Sequence, residues 1–492
     1  MGQDVTDTEF SGRDRQRYRA KVRRCLDVFS RMLSESKFDF NRPMTGTEIE
    51  FNLVDQDCNP AMRNAEVLNA IANDAFQTEL GQFNIEINVP PRELHGSEAE
   101  TLETDLRASL NDAESRSREI GAHIVMVGIL PTLGPEHLTH DSISANPRYA
   151  LINEQIFEAR GEDIPINIEG VERLSTSTDT IAPEAACTSV QFHLQVSPQD
   201  YAATWNAAQC LAGVQVALGA NSPFLYGKEL WRETRIALFE QATDPRPEEF
   251  KAQGVRPRVW FGERWITSIF DQFEENVRYF PSLLPICDDE DPVEVFDRGD
   301  TPSLAELRLH NGTIYRWNRP IYDVYRGKPH LRVENRVLPA GPSVVDILAN
   351  GAFYYSLLRV LRSEDRPLWT RMSFTAAEDN FNAGARYGIN APLYWPGLGE
   401  VPVTELVLRR LLPLAREGLE GWGVASSVGD RLLGVIEGRC LRQTNGAEWM
   451  ARTFHEIDDR TQPLDRRDAL REMLRRYIEH MHSNEPVHTW DT

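Results

Sequence analysis

Lysine is nearly missing from this chain: Lys21, Lys37, Lys228, Lys251 and Lys328 are the whole set, and arginine carries the remaining basic charge. Arginine suits bidentate contacts with carboxylates and phosphates. Positive charge is also outweighed, with a formal net charge of −22. Such a surface repels phosphate backbones and anionic lipid headgroups, so neither nucleic acid nor a membrane is expected as a partner. Cys25, Cys58, Cys187, Cys210, Cys287 and Cys440 are scattered, with no CxxC pair, which argues for reduced thiols rather than a disulfide framework. No apolar run approaches the ~20 residues that span a bilayer. The opening MGQDVTDTEFSGRDRQ lacks the apolar stretch of a signal peptide, so a cytoplasmic location is expected. GxGxxG, GxxxxGKS/T and GxSxG are all absent, which removes the dinucleotide fingerprint, the P-loop and the nucleophile elbow. No internal repeat or low-complexity segment is found.

What is present is an ordinary globular composition, 41% apolar and 26% charged over 492 residues, enough for two to three domains. A polar, mobile tail is expected over residues 1–12. A helix follows over 13–36, with Val22, Leu26, Phe29 and Leu33 on one side and arginines on the other. Strands are expected at 45–54 and at 83–89, the second ending at Pro90-Pro91 because proline cannot donate to a ladder. A helical stretch over 65–76 lies between them. Ser97 and Glu100 have capping-box spacing and open a helix to about residue 120. IVMVGIL reads as a buried strand. Residues 140–185 read as loops around a helix over 149–160, with LSTSTDTIAPEAA a mobile or substrate-proximal loop. A strand at 189–197 leads into an apolar helix to about residue 220. Strands at 303–310 and 330–338 and a helix at 343–361 follow, and residues 375–492 read as mainly helical.

Chemistry is concentrated in five strand-like segments that alternate. In GTEIEFNLV, Glu48, Glu50 and Asn52 oppose an apolar face, and in FNIEINV, Asn84, Glu86 and Asn88 do so. VQFHLQV presents Gln191, His193 and Gln195, LAELRLH presents Glu306, Arg308 and His310, and HLRVENRV presents His330, Arg332, Glu334 and Arg336. One sheet face on a core and one polar face is the implied arrangement. A merely solvated face favours threonine and lysine. Here lysine is absent, and the residues are metal ligands, amide hydrogen-bonders and anion clamps. Glu48 and Glu50, at i and i+2, lie roughly 7 Å apart along one strand. With Glu86 they form a carboxylate cluster whose repulsion a divalent cation relieves. Oxygen ligands favour Mg²⁺ or Mn²⁺ over zinc, and Mg²⁺ so bound also holds nucleotide phosphates. Arg308, Arg332 and Arg336 are placed to stabilise a transferring phosphoryl group. A glycosidase pair ranks below this, since that chemistry needs no arginines. His193 and His310 lack HxxxH or Cys/His spacing, so no zinc site is expected.

GTEIEFNLVD, ELGQFNIEINVPPREL, SVQFHLQV, ANSPF and HLRVENRVLPAGP together resemble the plant-type glutamate–cysteine ligases, over roughly residues 40–362. The resemblance implies an α+β fold like that of glutamine synthetase and the guanidino kinases: an antiparallel sheet bowl with flanking helices, here with a helical C-terminal region added. With it the chain is expected to divide into an N-terminal tail and helix over 1–40 and a mainly helical region over 375–492, both outside the resemblance, and a catalytic domain over 41–374. ATP and Mg²⁺, with Mn²⁺ as an alternative, would activate the γ-carboxylate of glutamate as an acyl phosphate for attack by an amine such as cysteine. Carried over by motif, Glu48, Glu50, Glu86 and Glu334 are metal ligands. Arg235, in WRETR after ANSPF, holds a substrate carboxylate or phosphate beside Arg308 and Arg336, and Gln191, His193 and Arg332 line the nucleotide side. A homo-oligomer is compatible with this picture. LRLHNGTIYRWNRP and the C-terminal addition depart from the family pattern and leave the amine acceptor open. A guanidino-kinase-type phosphotransferase and a non-catalytic binding member of the fold stand as alternatives.

Overall fold

A computed structural model describes residues 10–35, 37–40, 43–459 and 464–491; the tail expected at the N-terminus falls, through residue 9, outside them. The centre is a curled antiparallel sheet in the order Asn318–Tyr325, Lys328–Pro339, Ser189–Gln195, Met44–Val54, Asn84–Glu93 and Phe76–Thr78. The short strand His123–Val125 pairs with the end of Met44–Val54. Ile49, Phe51, Leu53, Val190, Phe192, Leu194, Val333 and, past a register shift after Asn335, Leu338 all lie on the buried back face. Two apolar helices, Tyr201–Gly219 and Val344–Leu361, cover that face, with the Phe192 ring against Tyr354 and Tyr355. Val344–Leu361 is long and apolar enough to cross a membrane, but 89% of it is buried inside the protein, the position of a core helix.

Four of the five alternating segments are strands of this sheet, and the fifth is not. LAELRLH forms the helix Ala305–Asn311. Its turn-by-turn burial is two-sided, so alternation along the sequence carried no information about period. Glu306 turns away from the sheet to Lys21, 3.2 Å away, while the Tyr18 hydroxyl of the first helix donates to the Glu306 carbonyl. His310 sits against the Asn276 carbonyl, away from the polar face. The vacated place is taken by Asn318–Tyr325, an edge strand that tolerates Pro320 for that reason.

Other departures have equally local causes. Asn84–Glu93 runs through Pro90 and Pro91 because these two residues form a bulge opposite the single residue Gly46, between the pairs Thr47–Val89 and Thr45–Arg92. The segment expected as helix to residue 76 splits into Asn64–Ile71 and the strand Phe76–Thr78. Ser97 precedes the helix Glu98–Glu119, but its side chain makes no cap bond. After Val125 the IVMVGIL run leaves the sheet. Gly128 passes so close to Pro339 that an added Cβ would lie 2.7 Å from its ring, and the Val127 carbonyl takes its hydrogen bonds from the Asn52 and Thr188 side chains. Residues 164–178 are a hairpin, Ile164–Glu169 with Arg173–Thr178, and Ala182–Ala186 is a short helical turn, so LSTSTDTIAPEAA is ordered rather than a free loop.

The C-terminal helices close the back of the molecule. Tyr201–Gly219 and Phe374–Tyr387 cross with Gly213 and Gly384 in contact: a Cβ on Gly384 would meet the Gly213 carbonyl at 2.4 Å. Arg439, 1% exposed, donates to Asp346 Oδ1 and to Asn350 Oδ1, each at 2.7 Å. Asp346 also accepts from the Ser343 hydroxyl and the Val487 amide, so one carboxylate ties three segments together. Breaking a buried pair on one side strands the other charge. Arg439→Met is therefore expected to cost about 3–5 kcal/mol, read as a lower urea midpoint; an unchanged midpoint would refute the role given to this pair.

Candidate active site

Register brings the polar face together. Glu50 pairs with Glu86, Glu48 pairs with Asn88 on one side and Gln191 on the other, and His193 pairs with both Gly46 and Glu334. These rows floor a cavity of about 430 Å³ lined by Glu48, Glu50, Glu86, Gln191, Glu334, Arg332 and Arg336, with Arg308 reaching in from its helix. His193 lies just behind, its Nε2 3.2 Å from Glu48. Arg235 is 2% exposed and lines a contiguous recess of about 70 Å³ that shares Glu50, Glu184 and Arg336 with the main cavity. Its Nε is 2.9 Å from Glu233, and its terminal nitrogens donate to the Arg336 and Val337 carbonyls. Arg235 thus spends much of its donor capacity on the fold while keeping one edge on the recess.

The carboxylates divide into two groups with opposite electrostatics. Glu50, Glu79 and Glu86 each bring an oxygen within 4.8 Å of the others. Burial, with repulsion from neighbouring carboxylates, pushes the Glu79 carboxyl up to about 7 and raises that of Glu86, and burial raises that of Glu50 against the pull of Arg336. Their hydrogen bonds hold them in place: Glu50 accepts from the Ser189 amide at 2.6 Å and from Gln191 at 3.1 Å, and Glu86 accepts from Asn88 at 2.9 Å. Glu48, His193 and Glu334 form the second group. Burial opposes the charge of Glu48, but His193 outweighs it and holds the carboxyl at about 2. Glu334 is buried yet kept well below the usual range by Arg319, which grips it through Nε at 2.6 Å and Nη2 at 2.9 Å, and by Arg336 at 3.3 Å. The first group has only oxygen donors, and its cationic neighbours, Arg336 and Arg235, act mainly on Glu50, leaving Glu79 and Glu86 raised, which fits a hard divalent cation. The second already has cationic partners and offers two oxygens and a nitrogen.

A further cavity of about 920 Å³ adjoins this one, sharing Glu48, Asn88, Asp323 and Arg332. Met44, Val89, Pro90, Pro91, Val324 and Tyr325 give it an apolar wall, and Lys328 and His330 give it a basic rim. Arg332 stands at the junction, donating to His193 Nδ1 at 3.1 Å and to Asp323 at 3.1 Å.

Several lining residues were invisible to the alternation pattern. Glu79 follows a three-residue strand and arrives through the tight turn at Gly81, where a Cβ would fall 2.4 Å from Asn84 Oδ1. Arg319 and Asp323 lie on the edge strand that sequence reading assigned no element. Glu184 comes from the Ala182–Ala186 turn, and Arg148 and Tyr149 from the helix Pro147–Arg160. ELGQ, within a stretch that carries the family resemblance, and the single acid in IAPEAA are the sequence signals that could have marked Glu79 and Glu184.

An antiparallel cup of this construction is that of an ATP-dependent carboxylate–amine ligase. The chain belongs to the glutamate–cysteine ligase family 2, whose family model matches residues 44–453. Its fold is similar to that of the Francisella tularensis glutamate–cysteine ligase solved in complex with AMP, at 12% identity and a TM-score of 0.55, covering 91% of this chain and 90% of that one. The bifunctional glutathione synthetase of Pasteurella multocida is also similar, at 13% identity and a TM-score of 0.47, covering 93% of this chain and 55% of that one. A search of the curated proteins gives no match.

Two predictions follow from the charge imbalance. The folded Glu79 carboxyl keeps its proton to about pH 7, whereas an unfolded one releases it near 4.5. Its contribution to stability is therefore present below pH 4.5 and is lost as pH rises to about 7. Thermal melting of cation-free protein should show this fall between pH 5 and 8, with Glu79→Gln flattening it and MgCl₂ raising the melting temperature more at pH 8 than at pH 5. Glu50→Gln should cut ATP turnover by at least about 100-fold with an unchanged circular dichroism spectrum; wild-type turnover would remove Glu50 from the site.

Proposed function

We propose that this ligase activates the γ-carboxylate of glutamate with ATP and joins it to an amine, for which cysteine is the first candidate. The observation that carries this reading is the carboxylate trio Glu50, Glu79 and Glu86 on the wall of the main cavity, which adjoins the apolar-walled cavity at Glu48 and Arg332 and the Arg235 recess at Glu50 and Glu79. Glu50, Glu86 and Glu79 hold a divalent cation, Mg²⁺ or Mn²⁺, with Glu48, Glu334 and His193 offering a second set of donors. A bound cation supplies charge neutralisation for these carboxylates and for triphosphate oxygens.

The purine enters the larger cavity against Val89, Pro90 and Tyr325, and Arg332 at the junction orients the phosphate chain. Arg336, raised in basicity by Glu334, Glu50 and Glu48 despite its burial, stays charged at any working pH and faces the phosphoryl group in transfer. Gln191 donates to Glu50 and accepts from Arg336 at 2.6 Å, fixing both groups. Arg308 and the free edge of Arg235 hold carboxylates of the substrates. The donor carboxylate oxygen takes the terminal phosphoryl group, ADP departs, and the amine nitrogen replaces phosphate at the acyl carbon. Residues 41–374 form the catalytic unit, and the helix Gly12–Ser34 and the helices that follow residue 374 brace its outer and back surfaces.

An ADP-release screen with glutamate against a panel of amines, with the amide identified by mass spectrometry, tests this. ADP release should require both substrates and a divalent cation, and should stop on chelation. ADP accompanied by a stable phosphorylated acceptor would make the protein a phosphotransferase instead, and turnover that persists in chelator would overturn the cation assignment.

A further inference from the structure

Every other acidic side chain on the cavity wall is answered by a donor. Glu50 accepts from Ser189 and Gln191, Glu79 from the Leu80 amide, Glu86 from Asn88, Glu334 from Arg319, Glu48 faces His193, and Asp323 is paired with Arg308 and Arg332. Glu184 differs. Among the described residues, no hydrogen bond or ion pair reaches its carboxylate. It stands where the main cavity meets the recess beneath Trp317 and Phe239, lining both. The turn that carries it is anchored by Ala182, Pro183, Ala185 and Ala186, all buried, so its side chain is the part of the turn left facing the cavity. An unpaired carboxylate in a sheltered cavity is costly unless a ligand cation completes it.

The amine of a ligase reaction enters as an ammonium at neutral pH and cannot attack until it loses a proton. We propose that Glu184 receives that ammonium group and takes its proton, which makes it a catalytic residue that selects cationic amines. The inference rests on the ligase reading above. One N–H proton passes to a Glu184 oxygen, and the nitrogen lone pair forms the C–N bond at the acyl carbon. The acyl C–O bond to phosphate breaks, phosphate leaves with that electron pair, and the proton released from the nitrogen adduct goes to solvent. Burial, with Glu79 nearby and Arg336 opposing, raises the Glu184 carboxyl, which makes it a stronger proton acceptor than a solvated carboxylate once an ammonium stands beside it.

Hydroxylamine provides the test. It is neutral near pH 7, needs no base, and traps an acyl phosphate as a hydroxamate. Full-length protein, ATP, Mg²⁺ and glutamate are assayed with the best amine of the panel and, separately, with hydroxylamine. Glu184→Gln should lower kcat with the cationic amine by at least about 100-fold while leaving hydroxamate formation within a few-fold of wild type. Its residual amide rate should climb with pH as free amine accumulates, and Glu184→Asp should recover part of the loss. Equal loss of both products while Glu184→Asp is also inactive, or an unchanged amide rate in Glu184→Gln, overturns the role of Glu184. Failure of the unmodified protein to form any hydroxamate overturns the ligase reading itself.

Discussion

Three carboxylates that repel one another are held within 4.8 Å in a buried cup, and the rest of the structure can be understood as what makes that tolerable. Antiparallel pairing sets Glu50 opposite Glu86 without any choice of rotamer, and a three-residue edge strand delivers Glu79 alongside. Backbone and amide donors from Ser189, Gln191 and Asn88 hold the side chains but do not neutralise them. A surface carboxylate cluster would disperse into water. This one cannot, because the strands that carry it are locked by their apolar back face.

Charge is therefore distributed unevenly on purpose-built rows. Glu48 and Glu334 have His193 and a pair of arginines, whereas within the trio Glu79 and Glu86 keep raised carboxyls. Arginine serves better than lysine here. Its planar fork can bridge Glu334 through two nitrogens, as Arg319 does, and it resists deprotonation when buried. The scarcity of lysine and the crowding of arginine on one face are then two views of a site that handles anions. Rigidity behind the sheet matters for the same reason. Two apolar helices, the Gly213–Gly384 crossing and the Asp346–Arg439 pair prevent the cup from relaxing its own repulsion.

Legibility varied with the kind of signal. Strands with alternating sides and a buried back face were expected at 45–54, 83–89, 189–197 and 330–338 and are found at Met44–Val54, Asn84–Glu93, Ser189–Gln195 and Lys328–Pro339, because a one-residue slip there would bury charge and expose Phe51 or Val333. LAELRLH obeyed the same alternation and is a helix, since both of its faces are covered and the period ceased to report burial. Pro320 hid an edge strand, and Pro90-Pro91 suggested a strand end where the strand instead bulges and resumes its pairing at Arg92. IVMVGIL is as buried as expected but irregular, because side chains of Asn52 and Thr188 replace ladder bonds.

The sequence by itself determined which residue types share a face and that the face is polar and lysine-free, and it pointed to chemistry with cations and phosphate-like anions. These follow from covalent alternation along single strands, a purely local property. Only the tertiary structure decided which rows meet, and hence that Glu79 joins Glu50 and Glu86, that Arg319 belongs to Glu334, and that Glu184 stands unanswered between two cavities. Those pairings join segments far apart in the chain, and their register is chosen by the packing of the whole core rather than by any neighbour in sequence.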